Sequence, residues 1–191
     1  MGDRKKTHIN DLIDSAIFIK ENELAPKLAI CATNPSGSLT ALSSVFREPY
    51  LFEGVSVLNP ICDLSNHLLH DILDRGTDKS MGTDEIYFQK LTEFGDIASD
   101  REAFERVMSF SPYHMPMLMT ENRPITDILL CCDTDSPYKY HSRKMIAKIR
   151  ETSAFDPLYA FYREFPDKMY SEEQKYAEMY SFLVNSLLYN T

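Results

Sequence analysis

The sequence of 191 residues is poor in several residue types that define classes of protein. Its 6 glycines and 10 prolines are too few for a fibrous or low-complexity chain, and no run approaches the roughly 18 apolar residues of a membrane span. Basic residues are also in deficit, since 20 Lys and Arg stand against 29 Asp and Glu and give a net charge of −9. Because this charge repels a phosphate backbone, we do not expect nucleic acid as a partner. Because no apolar run is long enough to span a bilayer, we do not expect a membrane either.

The cysteines and the first residues bear on metals and on the cellular compartment. The cysteine spacing is not that of a zinc site, and adjacent cysteines seldom form a disulfide with each other. Residues 1–6 have neither the apolar core nor the cleavage site of a secretory signal. We therefore expect a cytoplasmic protein without a metal or cofactor, whose reduced thiols are Cys31, Cys62, Cys131 and Cys132.

Short apolar runs alternate with amphipathic helical patterns along the chain. A hydrophobic content of 43% suffices for the core of one domain over residues 1–191. Parallel strands need crossover connections, so the alternation predicts an α/β fold with a mostly parallel sheet and helices on both faces. The last helix is expected to begin at Ser171, where Ser-Glu-Glu-Gln forms a capping box. The predicted neighbouring parallel strands are residues 27–31, 55–58, 128–132 and 158–162.

A segment at about residues 63–110 interrupts this alternation. Residues 63–105 carry 11 acidic and 4 basic residues, which predicts a helical excursion exposed to solvent. His67 and His70 would share one helix face, near Asp63, Asp71 and Asp74. Such a face could hold a metal ion, although a solvated acidic helix is the commoner outcome.

A tight turn at residues 33–38 follows the first predicted strand and precedes a helix, which is the setting of a nucleophile elbow. Further segments follow in the order found in the prolyl oligopeptidase family. The sequence thus resembles the later part of that family's α/β-hydrolase catalytic domain, in a prolyl endopeptidase or a divergent prolyl endopeptidase-like protein. The segments that carry the resemblance are residues 28–30, residues 51–55 with Pro60 and Asp63, residues 94–96, residues 111–114, and residues 128–130 followed by residues 133–135.

The resemblance implies a degenerate catalytic triad. Asn34 takes the position of the nucleophilic serine, and a carboxamide cannot act as that nucleophile. Pro35 takes the position whose backbone N–H would stabilise the oxyanion, and proline has no N–H. Asp135 is the nearest match to the acid, with Ser136 as the alternative if the alignment slips by one residue. The loop expected to supply the histidine, residues 163–170, contains none.

The resemblance also implies that the family's β-propeller and the first strands of its sheet have no counterpart here. The open sheet edge would then favour self-association. Two functions remain open. The chain is either an inactive homologue that binds a peptide or protein partner, or an active serine hydrolase that uses Ser36 or a shifted triad. Ser36 would need Gly37 as its oxyanion donor, and the cap of a helix N-terminus is the commoner role for such a serine.

Overall fold

The computed structural model describes residues 4–74, 93–115, 126–151, 160–166 and 168–189. Six α-helices and four β-strands lie within these ranges, together with a short 3₁₀ helix at Pro49–Leu51. The helices are α1 Arg4–Glu21, α2 Pro35–Arg47, α3 Leu64–Asp74, α4 Arg101–Met108, α5 Lys139–Glu151 and α6 Glu172–Tyr189. The strands are β1 Ala29–Ala32, β2 Gly54–Leu58, β3 Asp127–Asp133 and β4 Ala160–Phe165.

The four strands form one parallel sheet in the order β1-β2-β3-β4, which confirms the predicted arrangement. β1 begins two residues later than expected because the backbone N–H of Leu28 donates to the side-chain carboxylate of Glu53. β4 continues three residues beyond Tyr162, whereas Leu158 and Tyr159 lie outside the described residues. β1 is an edge strand and its residues are half-buried.

Helices cover both faces of the sheet, as the alternation of elements predicts. Side chains on a strand alternate between the two faces, so Val55 and Val57 pack against α2 and α5. Leu129 and Cys131 pack on the opposite face with Met179 of α6. α6 begins at Glu172, within the predicted capping box, in which Ser171 and Gln174 exchange hydrogen bonds between side chain and backbone.

A second apolar core lies on the outer side of α2. Leu39 of α2 contacts a cluster built from α1, α3 and α4, in which Ile9 and Val107 are fully buried. The described parts of the acidic segment therefore contribute buried residues, while residues 75–92 are not described. No helix in the described ranges is long and apolar enough to cross a bilayer.

Gly54 of β2 offers a test of the packing between the sheet and α6. A Cβ atom at this position would lie 2.9 Å from both Cβ and Oγ of Ser186. We expect Gly54→Ala to lower the free energy of unfolding by about 1–3 kcal/mol, measured by urea denaturation, because the added methyl overpacks this contact. A double-mutant cycle with Ser186→Gly should recover part of the loss. If the losses in Gly54→Ala and Ser186→Gly simply add in the double variant, the two residues are not in contact as described.

Candidate functional site

Asn34 lies at the turn between β1 and α2, at the carboxyl end of the first strand. It is the N-cap of α2, with an extended backbone (φ −133°, ψ 155°). Its side-chain Oδ1 accepts a hydrogen bond of 2.7 Å from the backbone N–H of Gly37. The amide is therefore directed to its own helix, and the backbone lacks the strain of a nucleophile elbow.

Pro35 and Ser36 occupy the first two positions of α2. Proline is favoured at the first helical position because the N–H that it lacks would have no intrahelical partner. The expectation that Ser36 caps the helix is wrong, since Asn34 holds that position. The Ser36 hydroxyl instead accepts a hydrogen bond from Nζ of Lys5, a lysine that is only 3% exposed. Burial lowers the pKa of this lysine, although the charge of Glu93 opposes the shift.

Asp135, the residue expected to match the acid, is exposed. Within the described part of the chain the Asp135 side chain has no hydrogen bond or ion pair, so nothing there would orient a base. Ser136, the alternative, is buried, and its hydroxyl accepts the backbone N–H of Tyr138 in the turn before α5. The neighbouring Asp133 is firmly held, because Asn59 exchanges two hydrogen bonds with it at 2.8 and 3.0 Å.

Lys175 of α6 completes the group at this edge of the sheet. Its Nζ lies 2.7 Å from a carboxylate oxygen of Asp133 and 2.7 Å from one of Glu172, and the residue is 8% exposed. Burial favours the neutral amine, but the two hydrogen-bonded carboxylates outweigh it and raise the pKa of Lys175 to about 12. The next residue, Tyr176, hydrogen-bonds Thr33, directly before Asn34. This edge thus holds a protonated ammonium rather than a base.

The segment expected to supply a histidine joins β4 to α6. Arg163 donates to Glu178 of α6 at 3.0 Å and to the hydroxyl of Tyr170 at 2.8 Å, and Phe165 is fully buried. Asp167 lies outside the described residues. The segment contains no imidazole, and its charged groups stabilise the connection instead.

Sequence reasoning did not identify a second polar cluster, which is centred on Asp63 after β2. Ser65 Oγ lies 3.2 Å from His114 Nε2, and a carboxylate oxygen of Asp63 lies 3.5 Å from the same nitrogen. In a catalytic triad the hydroxyl and the acid contact opposite ring nitrogens. These three residues therefore have the composition of a triad but not its geometry. In the sequence, Asp63 and the segment with His114 were markers of the resemblance, and Asp63 was also placed near the possible metal site, but no pattern connected Ser65 with His114.

Asp63 joins α3 to α5 through both its side chain and its backbone. The carboxylate is buried, which opposes ionisation, but hydrogen bonds from His114, Lys144, Ser65 and the backbone of Asn66 hold its pKa far below the ordinary value. The Asp63 backbone N–H donates to Nδ1 of His141 at 3.2 Å. Burial, followed by the charge of His67, lowers the pKa of His141 to about 4.

The possible metal site at His67 and His70 gains no support. Among the described residues, no three His, Cys, Asp or Glu side chains are arranged to hold a metal ion. The side chains of Asp71 and Asp74 lie outside the described set. The cysteines are free thiols, and burial raises the pKa of Cys131 to about 12, which makes it a poor nucleophile.

Neither a protein-family model nor a curated protein matches the sequence, but solved structures match the fold. A post-proline cleaving enzyme from Rickettsia typhi has a TM-score of 0.72 at 16% identity, over 98% of this chain and 26% of that chain. Prolyl oligopeptidase B from Galerina marginata has a TM-score of 0.69 at 21% identity, over 94% and 24% respectively. Oligopeptidase B from Leishmania major has a TM-score of 0.64 at 18% identity, over 93% of this chain and 23% of that chain.

The chain has the α/β-hydrolase fold, with a parallel sheet covered by helices on both faces. More particularly, it has the fold of part of the prolyl oligopeptidases, and it spans about a quarter of the length of the solved structures that it matches. The resemblance seen in the sequence is thus confirmed at the level of the fold. The chemistry of the site depends on the residues that occupy it.

The role of Asn34 as a cap can be measured directly. We expect Asn34→Ala to lower the free energy of unfolding by about 1 kcal/mol, because the N–H of Gly37 loses its acceptor. Asn34→Ser should keep most of the stability, since serine caps helices about as well as asparagine. Urea denaturation of the two variants provides the comparison. Equal losses in both would contradict a capping role.

The low pKa of His141 predicts a pH-dependent stability. Unfolded His141 takes up a proton near pH 6.5, whereas the folded residue does so only near pH 4. The free energy of unfolding should therefore fall by up to about 3 kcal/mol as pH drops from 6.5 to 4. His141→Asn keeps an acceptor for the Asp63 N–H and should remove this part of the decline. His8→Gln, on the exposed face of α1, is the control and should retain it. If the free energy of unfolding of His141→Asn falls with pH as steeply as that of the unmodified chain, His141 is not the residue that causes the decline.

Proposed function

We propose that this chain is a domain of the prolyl oligopeptidase family whose serine peptidase site has lost catalysis, and that it acts by binding. The observation that carries the proposal is the group of residues at the carboxyl edge of the sheet. Asn34 and Pro35 begin a helix there, and Lys175 forms a charged pair with Asp133. The fold supports membership of a serine peptidase family.

The nucleophile and its oxyanion donor are both compromised. Asn34 has no hydroxyl, and its amide oxygen already accepts the N–H of Gly37. Pro35 cannot donate a hydrogen bond. Losing one oxyanion donor costs about 2.7–4 kcal/mol of transition-state stabilisation, so this loss alone would slow acyl transfer by about 10²–10³-fold.

A general base is also lacking at this edge. The segment between β4 and α6 has no histidine, and Lys175 remains protonated at neutral pH because two carboxylates stabilise its charge. Asp135 would have no imidazole to orient. Because the members of a triad act together, loss of one already removes most of the acceleration that the triad provides.

One observation favours the alternative of an active hydrolase. Lys5 donates a hydrogen bond to Ser36, and burial lowers the pKa of that lysine, as a serine–lysine pair would require. However, the N–H of Gly37, which this alternative needs as an oxyanion donor, is already bonded to Asn34. The geometry therefore supports the inactive homologue better.

The proposal extends to partners and location. We propose a peptide or protein partner, because the family resemblance concerns peptidases, and a location in the cytoplasm, because the four cysteines are free thiols. In the described part of the chain, the half-buried strand β1 has no neighbouring strand on its outer side, and such an edge can support self-association.

The isolated chain should not hydrolyse a post-proline p-nitroanilide peptide or p-nitrophenyl acetate above a buffer control. A fluorophosphonate probe should not label it, because labelling requires an activated serine. Asn34→Ser should remain unlabelled as well, since the oxyanion donor and the base are still missing. Gel fluorescence after probe treatment, followed by peptide mass spectrometry, gives the readout.

Ser36→Ala and Lys5→Met distinguish the alternative. Labelling or turnover of the unmodified chain that disappears in both variants would show that Ser36 is the nucleophile and would overturn the proposal. Restoration of activity by Asn34→Ser would show that a residue outside the expected segment acts as the base.

A further inference from the structure

A pocket of about 350 Å³ lies between the start of α3 and the turn that leads into α5. A volume of this order suits a small molecule or the end of a peptide. It is lined in part by Asn66, His67, His70, Tyr138, Tyr140 and His141. Asn34, Pro35 and Lys175 do not line it, so it is a separate site.

His141 presents a fixed hydrogen-bond donor in this pocket. Its Nδ1 accepts the backbone N–H of Asp63, and the ring is neutral at pH 7 because burial lowers its pKa to about 4. A neutral imidazole carries one proton, which must therefore be on Nε2. Among the described residues Nε2 of His141 has no hydrogen-bond partner, so this donor is available to a ligand.

The one carboxylate lining the described pocket is already occupied. Asp63 accepts hydrogen bonds from Ser65 at 3.0 Å, from the N–H of Asn66 at 3.1 Å and from Nζ of Lys144 at 2.5 Å. Lys144 neutralises its charge and also lies 4.1 Å from the centre of the Tyr113 ring. Among the described residues, the pocket thus offers donors without an opposing free negative charge, which suits an anionic acceptor.

Aromatic rings form part of the pocket wall. The His67 ring lies 5.9 Å from the ring of Tyr138 and 5.9 Å from that of His141, and the latter two are 6.2 Å apart. Such a group of rings provides flat surfaces on which an aromatic or apolar body can pack. The hydroxyl of Tyr138 has no hydrogen-bond partner among the described residues and adds a second donor.

We propose that this pocket binds a small carboxylate that carries an aromatic or apolar group, with Nε2–H of His141 donating to the carboxylate. This binding does not depend on whether the sheet edge at Asn34 is catalytic. The probe is N-acetyl-L-phenylalanine, and its neutral counterpart is N-acetyl-L-phenylalaninamide. Isothermal titration calorimetry on the full chain should show saturable binding of the acid, and binding of the amide at least tenfold weaker, because a charge-assisted hydrogen bond contributes about 1.5–3 kcal/mol.

Two substitutions at one position separate the donor from the fold. His141→Asn keeps an acceptor for the Asp63 N–H but places no donor at Nε2, and it should weaken binding of the acid about tenfold. His141→Gln places an amide N–H near the Nε2 position and should bind within about threefold of the unmodified chain. His8→Gln, an exposed histidine on α1, should bind as the unmodified chain does.

Tyr138→Phe removes the second donor without changing the ring, and it keeps the test decisive if a substitution at His141 prevents folding. It should weaken binding of the acid about threefold. Equal affinity for the acid and the amide would overturn the proposal. Absence of saturable binding by the acid at concentrations up to about 10 mM would do the same, as would equal losses in His141→Asn and His8→Gln.

Discussion

The ion pair between the buried Lys175 and the half-buried Asp133 joins the last helix to the central strand β3. Asp133 ends β3, Asn59 follows β2, and Lys175 lies in the first turns of α6, so one group of contacts fixes three elements. A charge at 8% exposure requires compensation, and the two carboxylates provide it. The packing of α6 on the sheet therefore depends on Lys175 remaining charged, which is incompatible with its use as a base.

The start of α2 is also stabilised by local contacts. A nucleophile elbow needs a strained turn that exposes its side chain, whereas the sequence Asn-Pro satisfies the first turn of a helix with an extended cap residue. The hydrogen bond from Gly37 to Asn34 uses a backbone donor that an oxyanion would need. At this edge the N–H of Gly37 and the ammonium of Lys175 are thus both used in contacts that stabilise the fold.

Local patterns predicted the fold well and the contacts of the site poorly. Alternation and the capping box at Ser171 gave the four strands and the last helix, because these signals depend on neighbouring residues. Ser36 was misplaced because Asn34 and Ser36 are both good caps, and only Pro35 at the first helical position distinguishes them. The pairs between Asp133 and Lys175 and between Asp63 and His141 join residues far apart in sequence, so no local spacing could reveal them.

Asp63 is the centre of a second polar network, which lies after β2. Its buried carboxylate accepts hydrogen bonds from the buried Ser65 and from the exposed Lys144, and its backbone N–H fixes the tautomer of His141. Because the Asp63 carboxylate is buried, leaving it without hydrogen-bond donors would cost at least about 1–3 kcal/mol, so the network contributes to stability. Because Nδ1 of His141 accepts the Asp63 N–H, the single ring proton of neutral His141 is on Nε2, on the side of the ring away from this contact. A donor available for binding therefore follows from a contact whose first role is to hold α3 against α5.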